Sequence, residues 1–283
     1  MAGQMVKEGI LARYRDEVKT GALVTRDTAR NALGANVDGY VIPMFHSQTA
    51  IADNPALVSE PPKTFEKLVA WTKANPKKFG YNGIKGGMLG VAFVFGWIYA
   101  HSPNPQQLME GPYDPKVKES WGPRARQAQG VQSERRHHAR QCRHAGHAEP
   151  REIAMGPVWV DMFYTWQADG KLPPTMRLQL IAPGLPSQPM YYVIPQKAAN
   201  MEAAKKFVEF ATSPAIQAEG IVKRFNWYPG IDAQHVQAHL DRAVWEKLFN
   251  DIPPQDLATK GKSMPIAEYF KEIQEAYEHQ VAN

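Results

Sequence analysis

The sequence predicts an α/β fold spread over about two domains, and three observations carry that expectation. At 283 residues the chain is long enough for roughly two domains of ordinary size. Its composition, 43% hydrophobic, 22% charged and 10% aromatic, is that of a globular protein and excludes wholesale disorder, collagen and a small disulfide scaffold. Extended apolar runs are followed by amphipathic helical segments, and past the middle of the chain two helices come back to back after a strand, the order of an α/β lobe.

The elements follow in order. Gln4 to Glu17 mixes apolar and charged residues as a short amphipathic helix does, and Val37 to Ile51 reads as an extended run broken by Pro43. Pro61 and Pro62 end a loop, and Thr64 is placed to cap a helix whose Phe65, Leu68, Val69 and Thr72 share one face. Gly86 and Gly87 open a second helix, reaching Tyr99, that is apolar nearly all round and is therefore expected in a core. After Arg151 a short strand-like EIAMG precedes PVWVDMFYTWQADG, read as a helix that stops at Gly170. Strands are expected at Met176 to Ala182 and at Met190 to Ile194. Asn200 caps MEAAKKFVEFA, with Ala204, Phe207, Val208 and Ala211 on one face; Ser213 and Pro214 start the next helix, which Gly220 closes. A last amphipathic helix spans Ile266 to Val281.

Several function classes fall away on composition. The longest apolar run, Met88 to Ala100, is shorter than the about 20 residues a spanning helix needs. Met1 to Arg15 has no apolar block of the kind found in a secretory signal, so no export address is expected in the chain as written. Net charge is +5, and all of it resides between Arg124 and Arg151, where seven arginines face two glutamates; the rest of the chain holds 26 basic and 26 acidic residues. A basic surface spread over a domain, the usual mark of a nucleic-acid binder, is missing. The single cysteine, Cys142, excludes an intrachain disulfide. No Gly-rich phosphate loop, HExxH or G-x-S-x-G occurs, and no internal repeat is evident.

Three stretches in a fixed order, ADNPALVSEPPKTFEKLVAW, REIAMGPVWVDMF and QPMYYVIPQKAANMEAAKKFVEFATSPAIQAEG, resemble the extracellular (periplasmic) solute-binding proteins of ABC transporters, family 1 type, the group with maltose-binding and polyamine-binding relatives. The resemblance covers most of the chain from Gly3 to Val281 apart from the basic segment. It implies a type II periplasmic-binding-protein-like fold of two α/β lobes joined by a hinge, with a small polar solute in the cleft and an ABC permease as partner. The lobes are then expected as 1–50 with 190–245, and 51–189, followed by C-terminal helices over 246–283. The resemblance further implies a monomer, a periplasmic home for an intact relative, no cofactor, no metal and no nucleic-acid partner.

Three departures from the family pattern stand out. Relatives carry a signal peptide and about a third of their chain ahead of this start, so an N-terminally truncated chain with an incomplete first lobe is expected. Where relatives commonly have A-Y-N, this chain has Ala52, Asp53 and Asn54, which removes an aromatic ring near the cleft. The basic segment replaces a helix, a strand and a G-N-A-G-like turn. With suitable synonymous codons, reading RQAQGVQSERRHHARQCRHAGHAEPR one nucleotide later gives AKLKEFKANVAITPGNAGTLDMLNRG, which has no stop, resembles the family and joins Glu152 as R-G-E-I-A-M-G. Two compensating slips that put residues 124–151 out of frame are therefore expected.

The residues expected to touch solute are Ser47, Gln48, Trp159, Asp161, Tyr191, Trp227 and Tyr228, since aromatic rings that stack and polar groups that hydrogen-bond are what a small polar ligand needs. His46, Tyr164 and Gln188 lie close to them in sequence. Carbohydrate is favoured over polyamine, because a polyamine site wants several carboxylates and only Asp161 and Asp53 are obvious. The competing reading for Trp159, Tyr164 and Trp227 is core packing, and for Asp161 a helix-face carboxylate. His137, His138, Cys142, His144 and His147 carry zinc-type donors but lack paired spacing and apolar support. An RNA-binding or other interaction protein using the arginine-rich segment, or a nonfunctional remnant, are the alternatives to a transport receptor. Catalysis is not expected: adjacent His46 and Ser47 on a strand point to opposite faces and form no triad.

Overall fold

The computed structural model describes residues 2–32, 34–119 and 153–280. The chain divides into two compact units, 1–48 with 187–264 and 49–186 with 265–283. It passes between them at 48/49, 186/187 and 264/265, so the segment 246–283 is shared between the two units.

The first unit contains the short antiparallel pair β1 (Asn31–Ala32) and β2 (Ala35–Asn36). Its main strand is the N-terminal part of β3 (Val41–Asp53). Pro43 does not break this strand as the sequence suggests. The register slips between Pro43 and Phe45, where a residue with no N–H to donate is accommodated by a bulge. The other strands of this sheet, taken in order, are β4 (Met155–Trp159), β5 (Arg177–Gln179), β6 (Leu185–Val193), β7 (Tyr228–Pro229) and β8 (Gly261–Lys262). Within the first unit β6 and β7 both pair antiparallel with β3, and β8 follows beyond β6.

Packed with these strands are Tyr14, Val18, Val24, Ile42, Ile194, Val208, Ile231 and Val236, a buried cluster with none above 4% exposure. The Tyr14 hydroxyl donates to Tyr192 O at 2.8 Å and accepts from Ile42 N at 3.1 Å, which lets a polar ring end sit in an apolar core. The N-terminal helix is shorter than expected, Ala2–Lys7, because Gly9 takes a φ of +68° and turns the chain. Helix Met201–Ala211 is capped by Asn200, which accepts from Ala203 N at 3.0 Å. Val208 and Ala211 are buried as expected, but Phe207 is 59% exposed and only its edge meets Tyr192. Gly220 does not close the next helix. The turn Pro214–Ile216 runs on as a π-helical stretch, Gln217–Lys223, and the chain leaves it at Asn226, φ +58°.

In the second unit the C-terminal part of β3 lies between β4 and β5, antiparallel to both. Thr64 caps helix Phe65–Ala74 by accepting from Lys67 N, with Phe65 and Leu68 buried. The all-apolar helix is Met88–His101, buried from Gly90 to Tyr99. Its Trp97 and Phe93 rings pack on Phe65 at centroid distances of 5.6 and 5.8 Å. The sequence places PVW in a helix, but Pro157, Val158 and Trp159 complete β4, and the helix starts at Val160. Among the described residues no helix is long and apolar enough to cross a membrane.

Candidate functional site

Of the residues singled out from the sequence, Ser47, Gln48, Tyr191, Trp227 and Tyr228 fall in the first unit, and Trp159 and Asp161 in the second. Strand alternation sorts the first group. Phe45 and Ser47 share one side of β3 and stand opposite Met190 and Gln188. Directly opposed residues project to the same side, so the Ser47–Gln188 pair adjoins an apolar neighbourhood. There Trp227 lies between two rings, 4.4 Å from Phe45 and stacked at 4.9 Å on Phe225. Phe225 is 44% and Met190 50% exposed, which leaves this aromatic ladder open at its outer end. Asn226 creates it locally: its N–H bonds Val222 O at 2.9 Å in a helix-ending turn and sets Trp227 beside the strand.

His46, Gln48, Ser187 and Tyr228 occupy the opposite side. Gln48 is fully buried and Tyr228 is 1% exposed, its ring parallel to Phe249 at 5.2 Å. Gly261 makes room for Gln48, since a Cβ there would lie 2.8 Å from Gln48 Oε1 and 2.5 Å from Leu257 O. The His46 imidazole is held well below its ordinary value, first by burial and then by the positive charge of Arg26, with the neighbouring Gln48 acting in the other sense. Tyr191, half-buried opposite Pro43, has its hydroxyl pushed up by burial, with Arg26 acting in the other sense.

Arg26 and Asp232 were not legible in the sequence; 206 positions apart, they carry no motif. Arg26 Nε lies 3.3 Å from Asp232 Oδ1, and Nη2 donates to Gly230 O at 2.9 Å and to Pro229 O and Ile231 O at 3.3 Å. Asp232 Oδ2 also accepts from Thr25 N and Oγ1 at 3.0 and 2.6 Å. Burial lowers the Arg26 value and the Asp232 carboxylate raises it.

In the second unit, Thr49 stands opposite Trp159, Ile51 opposite Pro157 on one side and Gln179 on the other, and Asp53 opposite Met155 and Arg177. All eight share one face. Asp53, 1% exposed, accepts from Arg177 Nη2 at 2.6 Å and Nε at 3.1 Å, and Arg177 also bonds Val58 O at 2.9 Å. Gln179 is 5% exposed and both polar atoms of its amide lack a hydrogen-bond partner among the described residues. Trp159 is half-exposed in the N-cap position of helix Val160–Ala168, and Asp161 sits in the first helical turn, where a carboxylate is stabilised by the helix N-terminus. Tyr164 is buried edge-on to Phe163 and belongs to the packing.

Among the described residues no group of three His, Cys, Asp or Glu side chains is placed to hold a metal ion. His137, His138, Cys142, His144 and His147, together with the whole arginine-rich segment 124–151, lie outside the described residues.

The fold is that of ABC-transporter solute receptors. The chain superposes on an ABC transporter solute-binding protein from Thermotoga lettingae bound with α-D-tagatose, with a TM-score of 0.69 at 15% identity, covering 99% of this chain and 78% of that one. It matches the spermidine/putrescine substrate-binding protein PotD from Streptococcus pneumoniae with a TM-score of 0.64 at 13% identity, covering 99% and 80%. A cyclic α-maltosyl-1,6-maltose binding protein from Arthrobacter globiformis gives 0.64 at 14% identity, covering 99% and 77%. Residues 1–233 match the family profile described as bacterial extracellular solute-binding protein, and the chain belongs to that family. Comparison of the sequence with curated proteins gave no match.

Proposed function

We propose that the protein is the receptor of an ABC importer, binding one small polar solute and delivering it to a membrane permease. Family membership over residues 1–233 is the observation that carries this reading. The signal of occupancy is a shift in conformational population, which a ligand produces by binding one state better than the other. Ser47, Trp159, Asp161, Tyr191 and Trp227 are the proposed solute contacts. Gln48 and Tyr228, at 0 and 1% exposure, are assigned to the support behind them. The reaction class is binding and delivery, without catalysis.

Carbohydrate is preferred to polyamine. A polycation needs several uncommitted carboxylates, yet Asp53 is held by Arg177 at 2.6 Å and Asp232 by Arg26 at 3.3 Å. Asp161 remains. The Phe45–Trp227–Phe225 ladder offers the flat apolar face on which the C–H side of a sugar ring stacks.

Thermal unfolding in the presence of hexoses, maltose, spermidine, putrescine and γ-aminobutyrate tests the proposal. A solute at one hundred times its Kd stabilises the folded state by about 2.7 kcal/mol, a clear rise in midpoint. A sugar is expected to produce it, and Trp227→Ala to weaken that sugar at least tenfold. Stabilisation by spermidine alone would sink the preference for carbohydrate. No response to any solute in the panel would sink the receptor reading.

A further inference from the structure

We propose that Gln179 is a solute contact of the second unit and that it selects a neutral hydroxyl- or carboxamide-bearing group over an amine or a carboxylate. The inference rests on the receptor reading and deepens it. A primary amide is both donor and acceptor, and taking either end out of water without a partner costs stability. Gln179 leaves both ends unmatched while 5% exposed. Two of its polar neighbours are already engaged: Asp53 and Arg177, on the same face, hold each other at 2.6 Å. The residue directly opposite, Ile51, offers no polar side-chain atom.

The same face carries Thr49 and, across β3 from Gln179, Pro157 and Trp159, both half-exposed. An indole and a buried amide on either side of one central strand are what a ring with hydroxyl substituents requires: one group to stack, another to read the hydroxyls. The amide also decides the class. An ammonium group donates only and leaves the Gln179 Nε2 hydrogens unmet. A carboxylate accepts only and leaves Oε1 unmet. A hydroxyl or a neighbouring pair of hydroxyls does both, and so does a carboxamide. A site built to pair with such a group rejects the analogue that lacks it, because the buried amide is then stranded again.

The test uses the full chain, isothermal titration and thermal unfolding, with D-glucose, D-galactose, D-tagatose, maltose, spermidine and γ-aminobutyrate as probes. Gln179→Leu and Gln179→Met remove both polar ends at similar volume. Each is expected to lower affinity for the bound neutral solute at least 30-fold. Without solute, each should melt at the wild-type temperature or above it, because an unmatched amide has been replaced by an apolar group. Gln179→Glu, an acceptor only, should weaken the sugar and gain affinity for spermidine. Affinity within threefold of wild type in both apolar variants overturns the inference and leaves the receptor reading intact. So does a lowered melting point with unchanged affinity, which would give Gln179 a structural task. Binding of spermidine or γ-aminobutyrate but no neutral solute also overturns it. If the wild-type chain binds none of the probes, the receptor reading fails, and this inference with it.

Discussion

Arg26→Met removes the guanidinium that ties the loop around β7 to the N-terminal part of the first unit. Three backbone carbonyls, of Pro229, Gly230 and Ile231, lose their shared donor, and Asp232 loses its charge partner. Both side chains are largely buried, at 15 and 13% exposure, so water restores little of what is lost. Removing one member of a buried pair costs about 3–5 kcal/mol. Asp232 keeps its bonds from Thr25, and methionine fills much of the vacated volume, which places the loss near the lower limit, about 3 kcal/mol. At about 2–4 °C per kcal/mol for a chain of this size, the midpoint should fall by roughly 10 °C, read by near-ultraviolet circular dichroism. Asp232→Leu in the same chain should return part of the loss, since replacing a buried pair by apolar groups is close to neutral. The double-mutant cycle is then non-additive by at least about 1 kcal/mol. A midpoint for Arg26→Met within 2 °C of wild type, or strict additivity with Asp232→Leu, would refute the reasoning.

Gly261→Ala should cost about 1–3 kcal/mol in urea unfolding, and Gln48→Ala should not rescue it, because the Leu257 carbonyl, a backbone atom, remains 2.5 Å from the new methyl. His46 gives a pH dependence whose sign follows from its depressed value: the unfolded chain takes up a proton below about pH 6.5 that the folded chain refuses, so stability falls as pH drops. Between pH 7 and 5.5 this group contributes a loss of at most about 1.3 kcal/mol, and His46→Asn should remove that part of the slope; an unchanged slope in the variant would count against it. Nucleotide sequencing from the Arg124 codon through the Glu152 codon should find the next frame open and encoding AKLKEFKANVAITPGNAGTLDMLNRG or a close variant. Stop codons in that frame would instead make the arginine-rich segment native, and deletion of 124–151 with a salt titration of RNA binding would become the next measurement.

Much of the local structure is written in neighbouring residues. The caps at Thr64 and Asn200, the buried helix from Met88 and the stop at Gly170 depend on side chains within one turn, and each forms where the sequence places it. Failures occur where a second segment intervenes. Pro43 stays in β3 because a bulge in β3 itself, with Met44 as the extra residue against β6, accommodates its missing donor, and Pro157 to Trp159 pair with β3 instead of joining the helix. Phe207 fits a helix face by spacing, yet which residues of that face are covered depends on what packs beside it.

The candidate site divides in the same way. Sequence by itself determined the class of molecule, through three ordered stretches borne out by the family match over residues 1–233. Ser47 lies beside the passage at 48/49, whereas Trp227, expected near a crossing, lies well inside the first unit. Only the tertiary structure decided which polar groups are already committed. Strand alternation turns Gln48 inward, stacking on Phe249 takes Tyr228 with it, and Arg177 claims Asp53 from 124 residues away. Gln179 has no motif to announce it; its two unmatched amide atoms arise from burial beside Ile51, a pairing between residues 128 positions apart that local sequence does not encode.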